Sequence, residues 1–364
     1  MNNIVRLPLY LDNNNMLYFN MTDEILVELK TLFILYQKMN SFDPTRDYRN
    51  NMIKTAISDL DLESLNETSL IESLSAIICN KIKTKNQQTA LNLLNMLESG
   101  LLDKYNFLTD SYIIEIWSNL TYKNRNYDSF RIGYRKSGVN VSKVGKNPFV
   151  RKVVYSAPDY HKVPLMMNNL ITFANSYKLN IGDFENAILK SAVLSAYFVY
   201  IHPFLDGNGR TSRLLMNKFL IDNGLNKFRY LSINSEISKN KTFYNRLLQE
   251  IEITNTGDIT EYILYILGMF HSLFERVANP NRRKLDFSDL SDREKNMLKI
   301  IRVSSVGISV KDYKKIWNSI AKENKYEKIS IKVAEQDLTH LFRLDFIVKD
   351  ERYTLYPGFK YYNK

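Results

Sequence analysis

The chain has 364 residues, more than one typical domain holds, and 45% of them are hydrophobic, which indicates folded domains rather than disorder. Its only cysteine, Cys79, excludes a disulfide framework and a cysteine-rich metal site within one chain. The formal net charge of +11 suits phosphate-bearing or acidic partners without choosing among nucleotides, nucleic acids and proteins. Residues 1–11 resemble no targeting peptide, and no run is apolar over the roughly 18 to 20 residues of a membrane span, so we expect a cytoplasmic protein without a membrane partner.

Apolar residues recur at helical spacing through most of residues 21–275. Thr22, which precedes two acidic residues, is expected to begin the first helix, and Asn66 or Thr68 to begin another. Further helical segments are predicted at 90–97, 110–120, 163–177, 184–200 and 213–223. The fold class is therefore predicted to be mainly α.

Residues 131–156 break this helical pattern. They are rich in glycine, serine, valine and basic residues, and Gly133, Gly138 and Gly145 interrupt any continuous helix. The sequence predicts a β-hairpin or flap here. Its basic charge suits an acidic loop of a partner protein, although a solvated surface hairpin has the same composition.

A polar stretch around Pro280 predicts a linker at residues 276–289. Beyond it, short helices are expected at 292–303, 310–316 and 331–344, followed by two short strands within 346–356. Three helices and a small hairpin are typical of a winged helix, so residues 290–364 are predicted to form a winged-helix-like domain.

The charge of the third helix in this tail does not settle whether the tail binds DNA. Lys332 and Arg343 lie on this helix, but so do Glu335 and Asp337. Three roles of the tail therefore remain as alternatives: a scaffold, the formation of a homo-oligomer, and binding to DNA.

The segment from His202 to Arg213, with the sequence HPFLDGNGRTSR, concentrates groups that can act on a phosphate. An apolar helix is expected to end at His202, whose imidazole can take a proton from a hydroxyl near neutral pH. Asp206 supplies hard oxygen atoms of the kind that Mg²⁺ prefers.

A phosphate cradle is predicted immediately after this carboxylate. Gly207 and Gly209 let the backbone approach an anion closely where the next helix begins. Arg210 and Arg213 are three residues apart, so both can lie on one side of that helix and hold several phosphate oxygens. Each feature alone is more often structural, and it is their order within twelve residues that favours a functional site.

The same segment matches the Fic family motif, His-x-Phe-x-(Asp/Glu)-Gly-Asn-Gly-Arg-x-x-Arg, at every defined position. The chain resembles this family over roughly residues 65–274. The resemblance implies a Fic-type helical core with a small β-hairpin flap, and an enzyme that transfers AMP from ATP to a serine, threonine or tyrosine hydroxyl of a target protein. The chain is then divided as 1–110, an N-terminal helical region with an inhibitory helix; 111–275, the catalytic core; 276–289, the linker; and 290–364, the winged-helix-like domain.

The resemblance also implies a role for each residue of the motif. His202 is the catalytic base, and Asp206 binds the Mg²⁺ that bridges the phosphates of ATP. The nucleotide-binding residues are Phe204, Gly207, Asn208, Gly209, Arg210 and Arg213, of which Phe204 is expected to be an apolar anchor. Arg213 is expected to grip the γ-phosphate.

Residues 68–73 resemble the family's inhibitory motif, (Ser/Thr)-x-x-x-Glu-(Gly/Asn), and Ser73 departs from it at the last position. Thr68 and Glu72 are the matching residues. The resemblance implies that Glu72 pairs with Arg213 and so leaves the γ-phosphate of ATP without its clamp. The alternative is that Glu72 is an ordinary exposed glutamate of a helix.

The flap resembles the family's target-binding hairpin, which pairs with the backbone of the target by strand addition. The matching positions are Gly133, Tyr134, Arg135, Val139 and Val141, and the match is loose. Self-modification is a further expectation. The alternatives on the same scaffold are removal of AMP from a target and transfer of another phosphate-containing group. A regulator that binds DNA through the tail is an alternative of another class.

Overall fold

A computed structural model of the chain describes residues 3–39, 48–62, 73–77, 81–103, 106–123, 132–144, 151–254, 256–278, 289–304, 307–343, 346–350 and 360–363. The chain divides into two compact units. The first unit comprises residues 1–44 and 96–279, and the second comprises residues 45–95 and 280–364. Residues 45–95, which lie within the predicted N-terminal region 1–110, thus belong to a different compact unit from the rest of that region. The division into four segments remains a prediction.

The described residues are mainly helical, as predicted. The helices are α1 (Asp23–Lys38), α2 (Tyr48–Leu62), α3 (Lys85–Glu98), α4 (Asp110–Leu120), α5 (Val163–Ser176), α6 (Asp183–Ile201), α7 (Asn208–Asp222), α8 (Ile233–Ser238), α9 (Lys241–Thr254), α10 (Thr260–Ala278), α11 (Asp292–Val303), α12 (Val310–Asn324) and α13 (Ile331–Arg343). Short 3-10 turns lie at Leu101–Asp103 and Asn226–Tyr230. No helix among these is long and apolar enough to cross a membrane.

The first unit begins with a hairpin that the sequence analysis did not predict. Strands β1 (Asn3–Tyr10) and β2 (Met16–Met21) pair antiparallel. Alternate side chains along them are buried, namely Leu7, Leu9, Leu17 and Phe19, so one face of the hairpin joins the core. Thr22 then caps α1, as predicted, because its side chain accepts a hydrogen bond from the amide of Ile25.

Helix α6 is the centre of the first unit. Every residue from Asn186 to Ile201 is buried, which is the pattern of a helix that neighbours surround on all sides. Helix α7 lies against it through two buried hydroxyl groups, because Ser195 Oγ and Ser212 Oγ are 2.9 Å apart. The hydroxyl of Tyr262 in α10 donates to the same Ser195 at 3.1 Å. These contacts hold α6 and α7 together, and the predicted site lies between the end of α6 and the start of α7.

Helix α7 begins at Asn208, five residues earlier than the predicted 213. The sequence predicts that both Gly207 and Gly209 belong to a loop. Only Gly207 adopts a left-handed conformation, with φ of 81°, and Gly209 is already helical. The two arginines of the motif therefore both lie within the first two turns of a helix.

Two strands form the flap, as predicted, although they are shorter than the predicted segment. Strands β3 (Asn140–Val144) and β4 (Arg151–Ser156) pair antiparallel, with an irregularity between Val141 and Ser142. Residues 132–139 precede the hairpin and contain no strand.

In the second unit, α2 contacts α11. Helices α11, α12 and α13 each contact a strand of a three-stranded antiparallel sheet. The strands are β5 (Ile308–Ser309), β6 (Ile347–Asp350) and β7 (Lys360–Asn363), in the order β5-β7-β6. The strand that pairs with β6 thus lies beyond the predicted 346–356, of which residues 351–356 are outside the described residues. The winged-helix assignment stays a prediction.

Asp337 of α13 counts among the charges that this helix would present to DNA, but it does not lie on an exposed face of the helix. It is buried and accepts hydrogen bonds from Arg293 at 2.6 and 2.9 Å and from the Tyr313 hydroxyl at 2.9 Å. The ionised pair joins α13 to α11 within the second unit.

Candidate active site

His202 lies at the carboxyl end of α6 in a left-handed conformation, with φ of 51° and ψ of 56°. This conformation is uncommon for a residue other than glycine, and it turns the chain out of the helix into the motif loop. The imidazole Nδ1 lies 3.3 Å from the Val199 carbonyl. Because a carbonyl only accepts hydrogen bonds, this contact places the ring proton on Nδ1 and leaves the lone pair of Nε2 as a proton acceptor.

Burial lowers the pKa of His202 to about 4. The hydrogen bond to Val199 opposes this shift, the charge of Arg135 adds to it, and the charge of Asp206 opposes it. The imidazole is therefore neutral at pH 7, which is the form that accepts a proton.

The side chain of Asn208 holds the motif loop closed. Its Oδ1 accepts from the Phe204 amide at 2.9 Å, and its Nδ2 donates to the Phe204 carbonyl at 2.8 Å. The sequence analysis assigned Asn208 to nucleotide binding. Oδ1 and one N–H of Nδ2 thus organise the loop, and the assignment of Asn208 to nucleotide binding stays a prediction.

Phe204 is fully buried, as expected for an apolar anchor, and does not line a nucleotide site. Its ring stacks on Trp117 of α4, with centroids 4.5 Å apart and an interplanar angle of 5°. The indole Nε1 of Trp117 donates to the Asp206 carbonyl at 2.7 Å. Trp117 therefore fixes the loop at two points, a role that no motif in the sequence revealed.

Asp206 presents its carboxylate to solvent at the open side of the loop. Its side chain is 61% exposed, and Oδ1 accepts from the Gly207 amide at 2.6 Å. Arg210 Nη2 lies 3.4 Å from each carboxylate oxygen. The carboxylate is thus oriented by the loop while one side of it stays accessible.

Arg210 and Arg213 are both buried, with 6% and 5% of their surfaces exposed. They lie in the first two turns of α7, where the helix dipole and the first backbone amides also attract anions. The structure therefore brings together His202, Asp206, Gly207, Gly209, Arg210 and Arg213 around one short loop. A buried positive potential beside a neutral base suits a reaction at a phosphate.

Arg135 is buried, which differs from its predicted place in a target-binding flap. Its Nε donates to the His202 carbonyl at 2.8 Å, and its Nη1 to the Ser137 carbonyl at 3.0 Å. Its Nη2 donates to the carbonyl of Pro158 and, at 3.4 Å, to that of Ile201. Four of the five N–H donors of this buried guanidinium are thus used within the chain, where they hold the backbone of the proposed base.

The other predicted flap positions are divided between the loop and the hairpin. Tyr134 lies against Phe204 and donates its hydroxyl to Asp110, and Gly133 precedes it, so neither belongs to the hairpin. The carbonyl of Val139 accepts from the Ala157 amide at 3.0 Å, and Val141 pairs with Tyr155. Only Val139 and Val141 therefore lie where strand addition is possible. Thr68 and Glu72 lie outside the described residues.

The sequence pattern of the Fic/DOC family matches residues 107–220. A probable protein adenylyltransferase from Aquifex aeolicus is 26% identical over 51% of this chain and 55% of its own length. The protein adenylyltransferase Fic of Aedes aegypti is 28% identical over 54% of this chain and 35% of its own length. The chain thus spans about a third to about half of the length of these curated relatives.

Solved structures agree on the fold. A Fic family protein from Desulfovibrio desulfuricans superposes with a TM-score of 0.59 and 18% identity, over 94% of this chain and 97% of the other. Fic-1 from C. elegans superposes with a TM-score of 0.52 and 17% identity, over 70% and 71%. The family pattern includes the loop described above, so residues 107–220 of this chain match the Fic/DOC family in sequence pattern, and the solved structures share the fold.

Proposed function

We propose that the chain transfers AMP from ATP to a hydroxyl side chain of a protein. The observation that carries the proposal is a neutral imidazole, His202, beside a helix start with two buried arginines. The names of the relatives, protein adenylyltransferases, support the choice of reaction.

His202 acts as the base in this proposal. The target hydroxyl oxygen attacks the α-phosphorus of ATP, and its proton passes to Nε2 of His202. The bond between the α-phosphorus and the bridging oxygen breaks, and pyrophosphate leaves with the electron pair. The products are a phosphodiester between AMP and the target side chain, pyrophosphate, and a protonated imidazole that returns its proton to water. Positioning and charge neutralisation supply most of the rate in such transfers.

The phosphates are held by the loop and the start of α7. Gly209 presents a backbone amide near the helix start, where the first amides have no partner within the helix. Arg210 is assigned to the β-phosphate and Arg213 to the γ-phosphate. Asn208 is assigned to the α-phosphate, through its backbone amide and the second N–H of Nδ2, since Oδ1 and the other N–H bond to Phe204.

Asp206 is the residue that would hold Mg²⁺. Its exposed carboxylate is a hard donor that leaves room for water and phosphate oxygens, as Mg²⁺ requires. No cluster of three or more metal-ligating side chains exists among the described residues, so this carboxylate fits a shared site with ATP better than a closed protein site. When bound, Mg²⁺ supplies neutralisation of the phosphate charge.

Glu72 is proposed to restrain this activity by pairing with Arg213. The support is the match of residues 68–73 to the inhibitory motif and its place before the core. A bidentate pair between arginine and carboxylate is strong, so ATP must compete for the guanidinium. Glu72→Gly should therefore label itself or other proteins faster than the wild type. Equal rates would remove Glu72 from this role, and an equally fast Glu72→Gly, Arg213→Ala double variant would remove its proposed partner.

The reaction class is tested with ATP labelled at either the α- or the γ-phosphate. The Glu72→Gly protein, incubated with a cell lysate and Mg²⁺, should transfer label from the α-position and none from the γ-position. Transfer from the γ-position would identify a kinase, and transfer from neither position would contradict the proposed enzyme.

A further inference from the structure

A cavity lies beside Tyr200, near the end of α6. Its volume is about 310 Å³, and it is lined by Asp12, Tyr155, Ser156, Pro158, Tyr200, Glu252 and Ile253. These residues come from the turn after β1, the end of β4, α6 and α9. Two of them are carboxylic acids and none is a cation, although the chain as a whole carries a net charge of +11.

The carboxyl group of Glu252 is the unusual member of this cavity. Only 9% of the residue is exposed, and no hydrogen-bond donor within the described part of the chain contacts its carboxyl. Burial raises the pKa of Glu252 to about 8. Its carboxyl lines the cavity, so the hydrogen-bond donor that it lacks within the protein can come from water or from a ligand in the cavity.

The other polar groups of the cavity are held in place by the backbone. The Tyr155 hydroxyl donates to the Tyr200 carbonyl at 2.8 Å, and the Tyr200 hydroxyl accepts from the Asp12 amide at 2.9 Å. The carboxylate of Asp12 forms an ion pair at 2.5 Å with Lys162, whose side chain is half exposed. A cation of the chain itself thus already pairs with one of the two carboxylates at the cavity edge.

The cavity adjoins the parts of the molecule that a target has to reach. Tyr155 and Ser156 are the last residues of the flap strand β4. Tyr200 is two residues before His202, and the carbonyl of Pro158 shares the guanidinium of Arg135 with the carbonyl of His202. The cavity therefore borders both the flap strand and the helix end that carries His202, where a polypeptide lying along the flap would pass.

We propose that this cavity binds a lysine or arginine side chain of the protein that is modified, with the carboxyl groups of Asp12 and Glu252 as its partners. The assignment rests on the proposed transfer of AMP to a protein. A cation that enters the cavity favours loss of the Glu252 proton to solvent and then donates to the resulting carboxylate. The volume exceeds what a single metal ion needs and accommodates the end of such a side chain.

The binding step is tested without ATP and without turnover, so its result does not depend on the proposed reaction. Saturation-transfer NMR compares N-acetyl-arginine amide with N-acetyl-citrulline amide, which has nearly the same shape and no charge. The arginine probe should bind the wild type, and the citrulline probe should bind about tenfold or more weakly. Equal binding of the two probes would overturn the proposal.

Variants assign the binding to the cavity. Glu252→Gln keeps the shape of the side chain and should weaken the arginine probe about tenfold or more. Glu250→Gln, on the exposed face of the same helix, should leave it unchanged. Lys162→Gln frees Asp12 from its ion pair and should strengthen binding. Retained binding in Glu252→Gln, with melting curves that show a folded protein, would place the probe elsewhere and overturn the proposal.

The substrate role is tested by competition. In a lysate with α-labelled ATP, the arginine probe should reduce the labelling of other proteins by Glu250→Gln, and the citrulline probe should not. Labelling that the arginine probe leaves unchanged, despite binding of the probe, would contradict the assignment of this cavity to the target.

Discussion

His202 and Glu252 are both buried titratable groups near the end of α6, and burial keeps both of them neutral at pH 7 by shifting their pKa values in opposite directions. The pKa of His202 falls to about 4 and that of Glu252 rises to about 8. Their surroundings differ. The backbone of His202 is held by a buried arginine and its ring by a carbonyl, whereas the Glu252 carboxyl lacks a donor among the described residues.

This difference separates two kinds of site. The base is preorganised, because each contact that fixes His202 exists before any ligand arrives. The cavity around Glu252 is incomplete, because a carboxyl without a donor gains most when a ligand supplies one. Changes at the first site should therefore reduce catalysis and stability together, and changes at the second should alter binding and can even stabilise the protein.

The largest effect is expected for Arg135→Ala, which leaves the buried carbonyls of His202, Pro158 and Ser137 without their donor. Stability should fall by about 3 kcal/mol or more, and labelling by the folded fraction about 100-fold, because the base is misplaced. Since the charge of Arg135 lowers the pKa of His202, the pH midpoint of the residual activity should rise.

The control for this variant is Lys136→Ala, at an exposed neighbouring residue, which should behave as the wild type in both urea unfolding and labelling. If Arg135→Ala lowers stability but its folded fraction labels at the wild-type rate and pH midpoint, Arg135 is structural only.

Glu252→Gln should give a smaller effect of opposite sign. The folded-state pKa of Glu252 is raised, so its contribution favours folding below about pH 4.5 and is lost as the pH rises toward 8. Tyr155, Tyr200 and Asp12 face the same cavity and carry no positive charge to offset this loss. At pH 8 the variant should be more stable than the wild type by on the order of 2 kcal/mol.

Urea unfolding at pH 5 and pH 8 measures this difference, with Glu250→Gln as the control. A wild-type stability that shows no greater fall between these pH values than that of Glu252→Gln would contradict the raised pKa.

The smallest effect is expected from a comparison of Gly207→Ala with Gly224→Ala, which tests how tightly the motif loop packs. Gly207 and Gly224 share a left-handed conformation, with φ of 81° and 84°. A Cβ at 207 would lie 3.1 Å from Thr121 Cγ2, whereas one at 224 would meet nothing within 4 Å. Both alanine variants should lose about 1–2 kcal/mol to backbone strain, and Gly207→Ala should lose about 1 kcal/mol more. Equal melting temperatures would mean that the loop can move away from α4.

The sequence predicts the motif loop well because its contributing groups lie within twelve consecutive residues. Their order predicts the helix end and the turn, and only the residue at which α7 begins is predicted wrongly. The roles of Asn208 and Trp117 could not be predicted, since their hydrogen bonds to Phe204 and Asp206 depend on how α4 packs against the loop.

The cavity and the clamp by Arg135 could not be predicted at all. Arg135 lies in a basic, glycine-rich segment that reads as an exposed flap, and only the fold reveals that it is buried. Asp12, Tyr155, Tyr200 and Glu252 are far apart along the chain, and the N-terminal hairpin that carries Asp12 to α6 was itself not predicted.

The most direct test of the account is the labelling rate of His202→Ala in the Glu72→Gly background, with His161→Ala, at an exposed histidine, as the control. Loss of the base should slow labelling from α-labelled ATP about 100- to 10,000-fold. The rise in melting temperature on addition of ATP and Mg²⁺ should persist, because the arginines and Asp206 are untouched. Labelling by His202→Ala at a rate close to that of the control would contradict the assignment of His202 as the base of AMP transfer.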